Sequence, residues 1–535
     1  MKALTKNTAK PERVEQLFAA LFAAVATAIV LYVRVRLLEM PLERDEGEFA
    51  YSGQLVLKGL SPYLHAYTMK LPGMAYLNAL FFTCFGTTVS AVHLGLLIAN
   101  LISALLLFHI ARRLFGATAG AVTSGLFLLM TASQHLLGTF AHATHFVLLF
   151  VLAAFALIIS EEGALSQYRC MAAGFCFGSA FLVKQHAVLF FAAAVIMLLL
   201  GRRKIRESAA SCFIMLFGFV IPYLLIILLQ LKQGAFSSFW FWTVRYASAY
   251  ATGLTPQLGW LNFKSQMAEI AGSMGGSWLL AGAGLLLLLI KRDRKVLSFV
   301  LPLLICSFLA ICPGFHFRPH YFILVAPVIA LLAGSLCGAS FPATVRGFLL
   351  AVVSAAAIFQ LWSEQWFLFS AAPQEYLKKA YQTTKPFVES LAVAQYVKAV
   401  TGRSDRIQVL GSEPQIYFYA ERRPASGYIY MYPLMEEQPF AEQMQEQMLK
   451  QIMADRPVYL VLVDDLSSWL AVSEKGVSFR EKLNDFVKSG YDLDGVAAVS
   501  RENESFYVFG ERSRQFVPNT PSRILLYKLR KEIQG

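Results

Sequence analysis

The sequence predicts an α-helical polytopic membrane protein with about eleven transmembrane helices and a C-terminal soluble α/β domain. Three observations predict it. Hydrophobic residues make up 57% of the 535-residue chain and charged residues only 15%, where a soluble domain carries about 25%. The apolar residues gather in blocks from Gln16 to about Trp366. Beyond about residue 370 the composition turns mixed, polar and aromatic. The expected organisation is a membrane domain over 1–366, with an outer loop at 39–88, and a water-facing domain over 367–535.

The first apolar block, 17–38, follows Lys2, Lys6, Lys10 and Arg13. At about 20 residues it is long for the apolar core of a signal peptide. It reads as an uncleaved first span with a cytoplasmic N-terminus. Further spans are expected at 89–110, 117–134, 142–159, 170–184, 186–201, 209–231, 268–290, 296–312, 321–338 and 345–366. The short pair 170–184 and 186–201 is alternatively one bent hairpin.

Leu71–Phe85 is apolar but only about 15 residues long, below the ~20 a span needs. Charge decides its status. If it does not cross, Arg112, Arg113, Arg169, Arg202, Arg203, Lys204, Arg206, Lys291, Arg292, Arg294, Lys295 and Arg346 fall on the side of the basic N-terminus. If it crosses, all of them fall outside. The positive-inside rule therefore makes it surface-lying or half-inserted. An odd span count then places the C-terminal domain outside. The same clustering explains the net charge of +13 without nucleic acid as a partner. The seven cysteines lie in or near apolar blocks and form no CxxC, which suggests neither a disulfide framework nor a zinc site.

This topology sorts the polar residues. Outward loops and span ends carry Asp45, Glu46, Glu48, His65 and Lys70, then Gln134, His135, His142 and His145. Lys184, Gln185, His186, Arg245, His316, Arg318, His320 and Tyr321 follow. Inner loops carry mostly Lys and Arg. The active face is expected outside. Three carboxylates in four residues resist burial in lipid and suit a water-accessible cleft at the membrane surface. In the tail, Phe387–Val400, Phe440–Met453 and Glu481–Lys488 have helical spacing, while Arg406–Leu410, Val458–Val463 and Ser505–Phe509 read as strands. That alternation predicts a small α/β domain. Gly411-Ser412-Glu413-Pro414 is too weak for a nucleotide-binding fingerprint.

Particular motifs then carry a resemblance. Asp45-Glu46-Gly47-Glu48-Phe49-Ala50-Tyr51, Gly59-Leu60-Ser61-Pro62-Tyr63, Lys70-Leu71-Pro72-Gly73, Leu80-Phe81-Phe82 and Phe85-Gly86 open the chain. Arg112-Arg113-Leu114-Phe115-Gly116 and Arg318-Pro319-His320-Tyr321, followed by Pro327, continue it. The layout of 10–340 resembles the bacterial dolichyl-phosphate-mannose-protein mannosyltransferase and aminoarabinose-transferase superfamily. Only the first loop is motif-specific. The resemblance implies a GT-C fold with an external active site. It also implies a sugar donor linked to polyprenyl monophosphate, with membrane lipids and a protein, lipid or glycan acceptor as the other partners. By the same resemblance Asp45 is the general base and Lys70 a donor-phosphate ligand. Aminoarabinose transferases often carry arginine three positions after the Asp; here that position is Glu48, so the phosphate-binding cation is expected elsewhere.

Elementary chemistry asks for the same groups. Inverting sugar transfer needs a base near the acceptor hydroxyl and cations at the leaving phosphate. Lys70, Lys184, Arg245 and Arg318 are the candidate cations. A carboxylate beside cations ionises more readily, so Asp45 is expected to be charged at neutral pH, alone or paired with a divalent metal ion. Glu46 is expected to position the acceptor or that metal. Glu48, Tyr51, Tyr63, His65, His320 and Tyr321 complete the expected substrate-binding set. Blander roles stand beside these. Lys184 alternatively snorkels to the headgroups, and Arg318 alternatively binds one structurally. His135, His142 and His145 either ligate a metal or hydrogen-bond helix ends. Tyr417, Tyr419 and the aromatics at 428–432 either stack on sugar or fill a core. Two other functions compete: a lipid-linked substrate transporter or flippase, which would place its site near the midplane, and a non-catalytic receptor or scaffold.

Overall fold

The computed structural model describes residues 5–159, 165–201, 204–251, 254–381, 385–470, 473–500, 504–515, 519–520 and 522–530. Lys2, Arg202, Arg203 and the C-terminal Gly535 lie outside the described residues. The chain divides into two compact units. One comprises Met1–Leu38, His93–Leu228 and Thr252–Ala371; the other comprises Glu39–Val92, Leu229–Ala251 and Ala372–Gly535.

The first unit is helical. Every expected span coincides with helical structure. Among the described residues, six helices are long and apolar enough to cross a bilayer: Glu12–Arg36, Val89–Phe115, Ile205–Lys232, Pro256–Lys291, Arg294–Ile311 and Ala343–Ser363. The other expected spans are shorter helices. Gln167–Val183 and Val188–Leu200 are separate helices joined by a tight turn at Gln185–Ala187, which leaves both the two-span and the hairpin reading open. The interval 232–267 between the expected spans 209–231 and 268–290, which holds Arg245, is largely helical among its described residues. Helix Pro256–Lys291 starts before residue 268 because Thr255 caps it and Pro256 supplies a preset first turn.

Helix packing in this unit relies on small residues, as lipid supplies no hydrophobic drive between helices. A Cβ added at Gly174 or Gly178 would lie 2.0 Å from the Met215 carbonyl oxygen or 2.2 Å from that of Phe219. Two buried arginines of the unit have partners. Arg346, which the charge pattern counts among the inner cations, is buried on Glu15 at 2.8 Å. Arg34 donates to the carbonyls of Thr131 (3.0 Å) and Gly138 (3.1 Å).

The second unit contains a six-stranded mixed sheet. Its strands are β1 (Arg406–Leu410), β2 (Arg423–Pro424), β3 (Tyr459–Asp464), β4 (Tyr491–Val499), β5 (Ser505–Phe509) and β6 (Ser522–Leu529). The spatial order is β2-β1-β3-β6-β4-β5. β1 runs parallel to β2 and β3, and the remaining pairings are antiparallel. β1 and β3 are buried almost throughout, which explains the near-continuous apolar sequence of β3; in β1 the buried Gln408 donates to the Tyr428 carbonyl at 3.0 Å. Helices Phe387–Val400, Ala441–Asp455 and Glu474–Gly490 accompany the sheet. The predicted strand and helix positions in the tail agree with these to within a few residues, apart from Glu474–Gly490, which starts well before the expected Glu481.

The same unit holds helix Arg44–Leu57 and helix Gly73–Phe85. The latter has 13 residues and is about 20 Å long at 1.5 Å per residue, short of a ~30 Å hydrocarbon core. Helix Arg44–Leu57 is buried along most of its length. Its two glycines make this possible. A Cβ on Gly47 would fall 2.6 Å from the Gln415 backbone nitrogen, and one on Gly53 would fall 2.7 Å from Asn78 Cβ. Gly47→Ala should therefore destabilise this unit by about 1–3 kcal/mol through overpacking. Gly275→Ala, where an added Cβ meets nothing within 4 Å, should be neutral or stabilising by up to about 1 kcal/mol. Thermal unfolding of the two variants in detergent checks the contrast.

Candidate active site

The acidic motif opens a helix, and helix-end chemistry explains its order. Glu43 is the N-cap of Arg44–Leu57: its carboxylate accepts from the Glu46 N–H at 2.8 Å, and Glu46 Oε2 accepts from the Glu43 N–H at 3.1 Å. This reciprocal pair is a capping box. The structure gives Glu46, which is wholly buried, a task in the helix end that the sequence reading did not foresee. Arg44 locks the same end into the tail. Its guanidinium bonds Glu413 at 2.5 Å, the Ser412 carbonyl and the Tyr432 hydroxyl. It lies 5.5 Å from the Phe387 ring centroid and 5.4 Å from that of Tyr432. Gly411-Ser412-Glu413-Pro414 is thus a latch for Arg44.

With the helix start fixed, Asp45 and Glu48 project on one side, as residues three apart do. Lys70 meets both: its Nζ donates to Asp45 Oδ1 at 2.7 Å and to Glu48 Oε2 at 2.6 Å. The three side chains differ in access. Glu48 is 4% exposed, Lys70 29% and Asp45 33%. Neighbours fix the lysine in turn. The Lys70 N–H donates to Thr68 Oγ1 at 3.1 Å, the Thr68 hydroxyl donates to Glu48, and the Tyr63 hydroxyl donates to the Lys70 carbonyl at 2.9 Å. Lys70 Nζ also sits 4.5 Å from the Phe49 ring centroid. Tyr430, from the tail, donates to the Arg44 carbonyl at 3.1 Å and lies 3.4 Å from Asp45 Oδ1.

The charges follow from this geometry. Burial alone would lower the Lys70 pKa; Asp45 and Glu48 outweigh it and raise it above the usual lysine range. The ammonium has three N–H donors and gives two of them to carboxylates. Burial, then Asp45 and Glu46, push the Glu43 carboxyl up to about 8. Burial, then Glu48 and Asp45, keep the Tyr430 phenol well above its ordinary range, so it serves as a neutral donor.

The other expected residues in this unit lie apart from Lys70 or play packing roles. Tyr51 is buried, its ring 5.5 Å from that of Tyr417. His65 lies beside Arg423. Arg245 stacks between Phe241 and Phe440, 5.9 and 5.6 Å from their centroids. Tyr417 and Tyr419 are tail-core groups whose hydroxyls accept from the N–H groups of Val409 and Leu42.

In the helical unit, Lys184, His320 and Tyr321 come together. Lys184 Nζ stands 4.0 Å from the Tyr321 ring centroid. His320 stacks on His142 at 4.0 Å and meets Tyr321 edge-on at 4.8 Å. Burial, then Arg318 and Lys184, lower the His316 imidazole to about 4. Arg318 is exposed and precedes the turn Pro319–Val325. His135 pairs with Glu269 at 3.2 Å.

Sequence reasoning missed Thr68, and it read Tyr430 and Glu413 only as part of the 428–432 aromatics and of Gly411–Pro414, without their contacts to the Arg44–Leu57 helix. Arg44 stood in the quoted motif without a role. Tyr430 lies hundreds of residues from Asp45, and no local pattern joins them.

Residues 68–227 match the family model described as dolichyl-phosphate-mannose-protein mannosyltransferase. A search of the curated proteins finds no match. Solved structures share the fold. ArnT from Cupriavidus metallidurans, bound to undecaprenyl phosphate, is 15% identical with a TM-score of 0.58, covering 96% of this chain and 98% of its own. The Archaeoglobus fulgidus oligosaccharyltransferase tethered to an acceptor peptide is 12% identical with a TM-score of 0.54, covering 94% and 75%. The archaeal oligosaccharyltransferase AglB from the same organism, in complex with an inhibitory peptide and a dolichol-phosphate, gives 12% and 0.51, covering 96% and 76%. The neighbours share this chain's fold, which is of the GT-C type, and residues 68–227 carry similarity to the dolichyl-phosphate-mannose-protein mannosyltransferase model.

The Glu43 shift has a sign. A carboxyl with its folded pKa raised to about 8 contributes stability fully present below its unfolded pKa and lost as pH rises through 8. Glu43→Gln keeps an acceptor without the charge. Its melting temperature should fall less than that of the wild type between pH values of about 5 and 9; equal slopes would contradict the assignment.

Proposed function

We propose that the chain transfers a sugar, hexosyl or pentosyl, from a polyprenyl-monophosphate donor to an acceptor hydroxyl at the outer face of the cytoplasmic membrane. The single observation that carries the reading is Lys70 shared between Asp45 and Glu48. Asp45, the more exposed carboxylate, takes the acceptor proton as its oxygen attacks the anomeric carbon. The bond from that carbon to the phosphate oxygen breaks, and polyprenyl phosphate leaves with the charge. Lys70, with a third N–H beyond the two given to carboxylates, meets that charge. Lys184 and Arg318 are carried as further phosphate ligands, with Arg245 a weaker one. Glu46 acts as a positioning residue through the helix cap. The undecaprenyl phosphate and dolichol-phosphate bound by the two structural neighbours support a lipid-linked donor. Protein, lipid A and glycan hydroxyls all remain acceptors of suitable chemistry.

The proposed placement is an inner-membrane enzyme with a cytoplasmic N-terminus and residues 367–535 in the periplasm. A C-terminal alkaline phosphatase fusion should be active; a cytoplasmic signal would break this topology.

For the reaction, purified protein is incubated with a panel of polyprenyl-monophosphate sugars and a membrane extract as acceptor, and free polyprenyl phosphate is measured. Release should depend on one sugar and fall about 10²–10⁴-fold in Asp45→Asn, with the fold retained. Activity near wild type in that variant would remove the reading. A parallel arm with EDTA separates a base acting alone from one paired with a divalent ion.

A further inference from the structure

We propose that a second cleft, in the unit that carries the sheet, binds the phosphate group of a sugar phosphate. The cleft encloses about 260 Å³ and is lined by Arg406, Arg423, His65, Tyr67 and Gln451 among others. That volume lies just below the usual range for small-molecule sites, about 300–1,000 Å³, and suits a ligand no larger than one sugar ring with its charged group. None of Asp45, Glu48 or Lys70 lines it.

Its cationic end is built from two guanidiniums, which match phosphate oxygens in geometry and charge. Arg406 pairs with Asp455 at 2.7 Å and keeps 41% of its side chain exposed. Arg423 has no carboxylate partner among the described residues; its Nη2 lies 3.3 Å from His65 Nδ1. One positive charge is therefore left uncompensated in the cleft. The other end is aromatic and rigid. The Tyr67 N–H donates to the Gly427 carbonyl at 2.7 Å, and Gln451 Nε2 donates to the Tyr67 oxygen at 3.0 Å. The Tyr67 ring stacks on Trp242 at 5.3 Å and meets Tyr428 edge-on at 4.9 Å. A Cβ on Gly427 would lie 2.5 Å from that ring, so glycine lets the two segments close. A wall held rigid in this way beside two arginines is pre-organised for a sugar phosphate, with the phosphate at the arginines.

His65 reports on occupancy. Burial, then Arg423 and Arg406, hold its pKa below the usual histidine range. The charged or titratable groups lining the cleft around it are Arg406, Arg423, Asp455 and Tyr67. A bound phosphate offsets the arginines and favours the imidazolium. Phosphate's own second ionisation near 6 acts in the opposite sense, so the useful quantity is a comparison between variants. As a place for an acceptor's charged group the cleft rests on the transferase reading; as an anion site it does not.

The test is calorimetric titration of full-length protein in nonionic detergent with glucose 6-phosphate, at pH values of about 6.5 and 8. Wild type should bind, and Arg423→Gln should weaken binding at least about tenfold, one lost charge-assisted contact. The ratio of affinity at the lower pH to that at the higher should be larger in wild type than in His65→Asn. Asp45→Asn should bind as wild type does, which separates failure of this site from failure of the reaction. Absence of binding, or equal affinity in Arg423→Gln, would overturn the proposal. So would occupancy by phosphatidylglycerol vesicles without binding of the sugar phosphate, which would mark a lipid-headgroup contact instead.

Discussion

One ammonium group between two carboxylates organises the candidate site. Asp45 and Glu48 lie three residues apart on one helix, a separation at which like charges repel. Lys70 at 2.7 and 2.6 Å makes the pair tolerable and draws the loop after Tyr63 onto the helix. Two carboxylates against one ammonium leave the trio one negative charge in excess. A phosphate arriving at Lys70 must compete with that excess, so the proposed leaving group needs other cations as well. Glu48 is the more buried partner and is also held by Thr68, which fits it to hold the lysine. Asp45 is the more open of the two, which is why the proposed reaction gives it the substrate.

The trio depends on a helix whose start is fixed by the tail. Arg44 and Glu413 are both buried, and a buried ion pair contributes more to a unique arrangement than to net stability. Removing one partner leaves the other charge stranded at a cost of about 3–5 kcal/mol. Gly47 lets Gln415 approach at a distance no side chain permits. The motif surrounding Asp45 thus mixes two demands. Asp45 and Glu48 serve the charge arrangement, while Arg44, Glu46, Gly47 and Gly53 hold the helix that carries it.

Much of this was legible in the sequence because its signals are local. Apolar block length marked the helices of the membrane part, and alternation of apolar runs with amphipathic ones marked β1, β3, β5 and helix Phe387–Val400. The acid cluster and Lys70-Leu71-Pro72-Gly73 marked the candidate site, and the structure brings Asp45, Glu48 and Lys70 together. The rest needed contacts between residues far apart in the chain. β4 reads Tyr491-Asp492-Leu493-Asp494-Gly495 at its start, with two acids and a glycine that disguise a strand. It is held there by β6, paired along Tyr491–Val499. Tyr430 and Glu413 act on a helix nearly 400 residues away in sequence. Glu46 read as an acid that positions acceptor or metal; the capping box, three positions after the N-cap, gives it a structural task that the acid cluster alone did not reveal.

The most direct measurement is the affinity of the purified protein for polyprenyl monophosphate, read by native mass spectrometry in the wild type, Lys70→Ala and Asp45→Asn. If Lys70 receives the leaving phosphate, Lys70→Ala binds at least about tenfold more weakly, the loss of a charge-assisted contact. Asp45→Asn, relieved of a nearby negative charge, binds as tightly as the wild type or more so. Equal affinity in the wild type and a folded Lys70→Ala would contradict the account, because the lysine would then serve only to hold two carboxylates together.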